Sequence, residues 1–294
     1  ASIGSIMIPM MVDQGYDADF STAVTITSSC EGLLVPPSHN MVIYATTAGG
    51  ISVGSLFLAG YLPGALLAIV LMIGSYIISV KENYPKGSPF SIKAFVKQLG
   101  TSIWALAAVI IVVFGVVGGV FTATESAAVA CVWAFIAGVF IYKEIKIADL
   151  IPILMKSAKS AAMILFIIAA STAFSWVFTF SGASAALVQL VVSMNLNKTL
   201  FCLVVAIILL IFGTFMEGTA IAVLLVPVLW PIAESMGINV IHFGMILCIS
   251  NVIGTMTPPV AVNIFSAVQV TRSVRELKIG EISKAEIPFF IGYV

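Results

Sequence analysis

Residues 5–37, SIMIPMMVDQGYDADFSTAVTITSSCEGLLVPP, stand in register with residues 227–259, PVLWPIAESMGINVIHFGMILCISNVIGTMTPP, at a constant offset of 222. Pro9 falls on Pro231, Gly15 on Gly237, Ser28 on Ser250, Gly32 on Gly254, and Pro36 and Pro37 on Pro258 and Pro259. The shared residues are mostly helix breakers: proline lacks a backbone donor and clashes with the preceding turn, and glycine relaxes the backbone. Two matched interruptions in so apolar a chain predict a transporter built from repeats, with its ligand site where the helices break.

Hydrophobic residues make up 61% of the chain and charged residues 9%, against roughly 25% charged in a soluble domain. The apolar runs, such as 103–121 and 200–212, have helical rather than alternating character, which predicts an all-α polytopic membrane protein and excludes a barrel. Thirteen basic and 13 acidic residues cancel, leaving no polycationic surface for nucleic acid. Cys30, Cys131, Cys202 and Cys248 lack paired metal or redox spacing and read as small packing residues. The first motif is already under way at Ile8, with no charged region before it. The reading therefore expects a piece whose first copy lacks the upstream hairpin that precedes the second copy after Lys156.

Periodicity divides the chain into three parts: 1–80, the later part of a first repeat, broken at 28–40; 81–156, connecting loops and two scaffold-like spans; and 157–294, a second repeat broken at 250–263. The first repeat is loosened again at Gly49 and Gly50, and a span over 62–80 opens with Pro63 in its first turn. Spans at 101–121 and 125–142 follow, flanked by basic loops at 81–97 and 143–159 that must face the same side, the cytoplasm. After 161 the apolar run reaches a Ser/Gly tip at 178–184, read as a re-entrant hairpin because irregular backbone at membrane depth needs protein cover. A further break is expected at 213–218, and the tail from Thr271 mixes Arg272, Arg275, Lys278 and Lys284 with acids. Counting 62–80, 101–121 and 125–142 as complete spans puts an odd number between the copies, which inverts one relative to the other.

The first break reads Ser28-Ser29-Cys30-Glu31-Gly32-Leu33-Leu34-Val35-Pro36-Pro37-Ser38-His39-Asn40. A proline pair leaves upstream carbonyls without helical partners, and these can coordinate a cation; the next half-helix begins with free amides that suit a carboxylate. Ser28, Ser29, Ser38 and Asn40 add neutral oxygens, the ligands a hard cation such as sodium prefers. The second break repeats the chemistry with Asn251, Gly254, Thr255, Thr257, Pro258, Pro259 and Asn263. Gly32 and Gly254 are read as allowing the turns. The plainer reading of each break alone is a kink, with Ser and Thr bonding back to freed carbonyls.

Three acids have apolar surroundings, and an acid at membrane depth is functional by default. Glu31 lies beside the first tip, Glu217 at the break 213–218, and Glu125 at a helix start where capping is natural. His39 and His242 have no second ligand at metal spacing; His39 stays a site candidate beside the proline pair, and His242 reads as structural.

These strings resemble the large membrane subunit, DctM-like, of tripartite ATP-independent periplasmic (TRAP) transporters. The matches are residues 9–16, the Gly-x-x-x-Pro-Pro-Ser break at 32–38, 52–64, 118–125, 213–231, and 242–244 leading into 257–259, in order along the chain. The resemblance implies a sodium-coupled secondary transporter of organic acid anions (dicarboxylate, sugar acid or sialic acid) in a bacterial inner membrane. It implies an inverted-repeat, elevator-type fold, a small membrane subunit, and a soluble periplasmic binding protein that delivers substrate. It brings no organic cofactor, only sodium as coupling ion, assigned to Ser28, Ser29, Gly32, Asn251, Gly254 and Thr257. One departure is Glu31, where many relatives are expected to be neutral. The alternative is a sodium/proton antiporter, or an anion transporter without a binding protein, using Glu217 or Glu125 as proton carrier. An intramembrane enzyme lacks a nucleophile with a base partner.

Overall fold

A computed structural model describes residues 3–85, 91–182, 196–258, 261–271 and 274–294, with positions 186, 188, 189, 191 and 193 between them. Lys86, the tip residues 183–185, Pro259 and Arg272 lie outside the described residues.

The helix before each proline pair has the same bounds in the two copies. Helix α1 (Gly4–Asp13) leads through Gly15, φ 94°, into α2 (Ala18–Leu34), which stops before Pro36 because the residue before a proline is pushed out of helical geometry. Helix α3 (His39–Thr47) follows, with the Ser38 Oγ accepting from Met41 N at 3.5 Å. Gly49 and Gly50, φ 107° and 81°, then turn the chain into α4 (Val53–Lys81). Helix α4 begins well before the expected 62, so Pro63 lies inside it rather than in its first turn; Ser52, accepting from Ser55 N, supplies the start instead. Its 29 residues span about 44 Å at ~1.5 Å per residue.

Helix α5 (Ile92–Val117) is capped by Ser91 and joined by a tight turn to α6 (Ala123–Ile136), which runs on through a π turn, Ala137–Ile141. The turn is held by a capping box: Thr122 N donates to Glu125 Oε2 at 2.8 Å and Glu125 N to Thr122 Oγ1 at 3.3 Å. Lys93, Lys97, Lys156 and Lys159 sit on helices rather than in loops, since α5 and α7 (Leu150–Phe180) begin earlier than expected. Long basic stems at helix ends lie along apolar surface while the ammonium reaches water. Helix α7 is 31 residues and is followed by Gly182, φ 76°.

Helices α8 (Lys198–Phe215) and α9 (Gly218–Ser235) meet at the break expected near 213–218. Gly237, φ 69°, leads into α10 (Val240–Met256), capped by Asn239, whose Oδ1 accepts from Ile241 N and His242 N. Then come α11 (Val262–Thr271) and α12 (Ile279–Tyr293), a helix the mixed-charge tail concealed. Ala18 and Leu34 bound α2, and Val240 and Met256, each 222 residues on, bound α10. Cys30 and its equivalent Val252 touch, Sγ to carbonyl oxygen at 3.6 Å. Contact between equivalent residues is what a two-fold axis through the helix crossing produces.

Among the described residues there is no strand, and six helical segments are long and apolar enough to cross a membrane. The core joins α3, α4 and α8–α10 around Met41, Tyr44, Phe57, Leu209, Phe243 and Leu247. Close helix approach depends on small residues, as expected where lipid offers no hydrophobic gain for association. A Cβ on Gly254 would lie 2.7 Å from Gly213 Cα, and one on Gly60 would lie 2.9 Å from Leu34 O, at the mouth of the first break.

Candidate functional site

Three helix interruptions converge on the N-terminus of α9. Glu217 is its N-cap residue, exposed, with Oε1 accepting from Thr219 Oγ1 at 2.9 Å. Gly218 behind it is buried, and a Cβ there would come 2.5 Å from Asn251 Nδ2 and 3.1 Å from Asn40 Nδ2. Asn40 stands in the first turn of α3, just after the first break, and Asn251 on α10 just before the second. They are 2% and 0% exposed, and Asn40 Oδ1, Asn251 Oδ1 and Asn251 Nδ2 meet no hydrogen-bond partner among the described residues. Buried amides are ordinarily satisfied, because stranding one forfeits its hydration. Both carboxamides, whose nitrogens face Gly218, stand by the free N–H groups of an 18-residue helix; their unbonded oxygens can serve a hard cation, and the helix N-terminus the carboxylate of a bound anion. The second break is fastened to the last turn of α8 by Ala261 N donating to Thr214 O at 3.0 Å.

A second lining lies across α10. A cavity of about 500 Å³ between α1, α2 and α11 is bordered by Ser28, Ser29, Gly32, Asn263 and Ser266. Asn263 connects the two places: its Nδ2 donates to Thr255 Oγ1 at 3.1 Å, and Thr255 lies one turn from Asn251. Helix α2 carries Thr22, Thr25, Thr27, Ser28 and Ser29, each hydroxyl bonded back to its own helix.

The whole chain, residues 1–294, matches the family model of the tripartite ATP-independent periplasmic transporter, DctM component. The chain belongs to that family. It is 36% identical over 291 residues to the C4-dicarboxylate TRAP transporter large permease protein DctM of Pseudomonas aeruginosa, covering 99% of this chain and 67% of that one. It is 32% identical over 289 residues to the sialic acid TRAP transporter large permease protein SiaM of Vibrio cholerae, covering 98% and 66%. To the isethionate TRAP transporter permease protein DctMQ of Oleidesulfovibrio alaskensis it is 35% identical over 290 residues, covering 98% and 45%. The chain thus spans about two thirds or less of the relatives it matches. Membership and the six spans make it a multi-pass protein of the bacterial inner membrane.

Within this TRAP permease chain, the residues expected to form one site divide into three groups. Asn40 and Asn251 come together at Gly218, next in the chain to Glu217, and Ser38, two residues before Asn40, holds Leu33 O through its hydroxyl. Ser28, Ser29, Gly32 and Asn263 line the cavity on the far side of α10. Glu31 turns from both: its Oε1 accepts from Tyr293 Oη on α12 at 2.7 Å. His39 is exposed, as are Pro37 and Pro258, while Pro36 is buried. Thr255 and Thr257 bond back to Val252 O and Ile253 O at 2.7 Å, the reading given to a simple kink, although Thr255 also accepts from Asn263. Gly32 and Gly254 do not make the turns; both lie inside helices, and the breaks fall at 35–38 and after Met256, where the prolines withdraw amide donors. Gly254 serves helix crossing instead. Sequence reasoning missed Gly218, Tyr293 and Glu286. The Glu-Gly-Thr string at the break was the available signal for Gly218; the other two sit in a tail whose charges hid its helix.

Proposed function

We propose that this chain is the permease of a sodium-coupled TRAP uptake system for a small organic acid anion, of the C4-dicarboxylate, sugar acid or sialic acid class. The observation that carries the reading is the meeting of Asn40 and Asn251 at Gly218. Each flanks one of the two repeat breaks, both are buried with their amide nitrogens toward Gly218 at a helix N-terminus, and the amide oxygen of each has no hydrogen-bond partner among the described residues. Sodium held there supplies positive charge next to the N–H groups that receive the carboxylate, so each ligand favours the other and only the state holding both is stabilised. The relatives named for C4-dicarboxylate, sialic acid and isethionate transport support an anionic substrate. A small membrane subunit and a periplasmic binding protein complete the system. The repeat moves as an elevator-type transport domain against the scaffold formed by α5 and α6.

The test is uptake into proteoliposomes holding the full-length permease with its small subunit, supplied with binding protein and either a C4-dicarboxylate or a sialic acid. One of the two accumulates with an inward sodium gradient, and Asn251→Ala or Asn40→Ala raises the sodium needed for half-maximal uptake at least about tenfold, roughly 1.4 kcal/mol of lost binding. Uptake indifferent to the sodium gradient, or driven by a pH gradient alone, overturns the reading.

A further inference from the structure

Glu286 stands apart from every group used so far. It lies in the middle of α12, its side chain 2% exposed, and neither carboxyl oxygen meets a hydrogen-bond partner among the described residues. Helix α12 packs on α2 and α4 and touches α10 and α11. Its last turn ties it to the first break, through the bond from Tyr293 to Glu31, the residue before Gly32. Near its start, a cleft of about 350 Å³ is bordered by Asp19, Arg275, Leu277, Glu281, Lys284 and Ala285. Ala285, in that lining, precedes Glu286 in the chain, while Glu286 itself is turned into the protein.

Among the described residues, the surrounding elements offer this carboxyl no buried counter-charge. Helix α2 brings Asp19, Cys30 and Glu31, none of them basic. Helix α4 has the exposed Tyr61 and Tyr76, and Lys81 only in its last turn. Helix α10 has Cys248, with His242 in its first turn, and α11 has no titratable residue. On α12 itself, Glu281 and Lys284 border the cleft and Tyr293 is occupied by Glu31. A carboxyl taken out of water with no base or donor beside it among the described residues favours its neutral form, because burial penalises only the charged form.

We propose that Glu286 is a proton-binding site whose occupancy sets how α12 seats on α2. With the proton bound, the carboxyl is neutral and α12 stays packed, holding Tyr293 on Glu31. When the proton passes to water, a carboxylate and a hydronium ion result, with no electron transferred. The carboxylate must then be hydrated, which draws α12 away from α2 and frees Glu31 beside the first break. The site is distinct from the sodium and anion site, and it gives the permease a response to pH that the amide cluster lacks.

The test is infrared spectroscopy on the purified full-length protein during pH titration, with Glu286→Gln and Glu286→Asp beside the parent. The parent shows at neutral pH the carbonyl stretch of a protonated carboxylic acid, which fades as the pH is raised. Glu286→Gln, of nearly the same shape, loses that band while retaining the parent's thermal midpoint and elution; Glu286→Asp keeps a titrating band. In proteoliposomes the pH dependence of uptake is flattened in Glu286→Gln. A carboxylate band at neutral pH that vanishes in Glu286→Gln overturns the proposal, and so does a titration unchanged by that substitution. The infrared measurement needs neither sodium nor substrate, so its outcome is independent of the uptake test.

Discussion

Asn251 shows why a side chain's meaning depends on what faces it. On α10 it reads as a polar residue beside Ser250; against Gly218 it becomes half of a buried pair of amides whose oxygens have no hydrogen-bond partner among the described residues. Gly218 has no side chain because no room exists for one, with Asn251 Nδ2 at 2.5 Å from where a Cβ would stand. Gly218→Ala is therefore expected to push the amides apart, lowering stability by roughly 1–3 kcal/mol, as overpacking does. It should also weaken apparent sodium affinity, read together by thermal melting and by sodium dependence of uptake. A result in which melting falls but sodium dependence is unchanged would detach Gly218 from the site. Thr122 makes the opposite case. Its hydroxyl accepts from Glu125 N at the start of α6, so Thr122→Ala is expected to lose about 1 kcal/mol of stability, as a lost cap does. Uptake per folded molecule should remain that of the parent, whereas a specific fall in uptake would place this turn in the transport machinery.

The helices α2 and α10 are a natural experiment in one molecule, equal in bounds under the offset of 222 yet different in packing. Gly32 and Gly254 are equivalent in sequence. A Cβ on Gly32 meets nothing within 4 Å, whereas one on Gly254 would lie 2.7 Å from Gly213 Cα and 2.9 Å from Leu210 O. Backbone cannot yield as a flexible side chain does, so Gly254→Ala is expected to separate α8 from α10. The loss should be on the order of 1–3 kcal/mol, seen as a lower thermal midpoint and reduced monodisperse yield. Gly32→Ala should leave folding intact. Equal effects at the two positions would contradict the packing described. The breaks that end these helices were legible in advance, because a proline acts on its immediate neighbours whatever surrounds it. Helix α12 was not, because its amphipathic pattern is interleaved with charges that read as a solvated tail, and it is helical by virtue of lying on α2 and α4.

The assembled molecule couples these parts through mass action. A ligand that binds only the folded site raises stability by an amount set by its concentration relative to its dissociation constant, about 2.7 kcal/mol at a hundredfold excess. Sodium should therefore raise the thermal midpoint of the purified permease, potassium should not, and Asn251→Ala should abolish the difference; equal effects of both ions in parent and variant would make the response one of ionic strength. From the sequence alone came the membrane class, the positions of the helix breaks, the doubled plan and the resemblance to TRAP permeases, all of which depend on local backbone chemistry, hydropathy and motif order. Only the tertiary structure decided that Asn40 and Asn251 meet at Gly218, that Ser28 and Ser29 face a separate cavity, that Glu31 belongs to Tyr293, and that Glu286 is buried. Those are contacts between residues up to 262 positions apart, and which side chains meet across such distances follows from how whole helices cross, which no local pattern encodes.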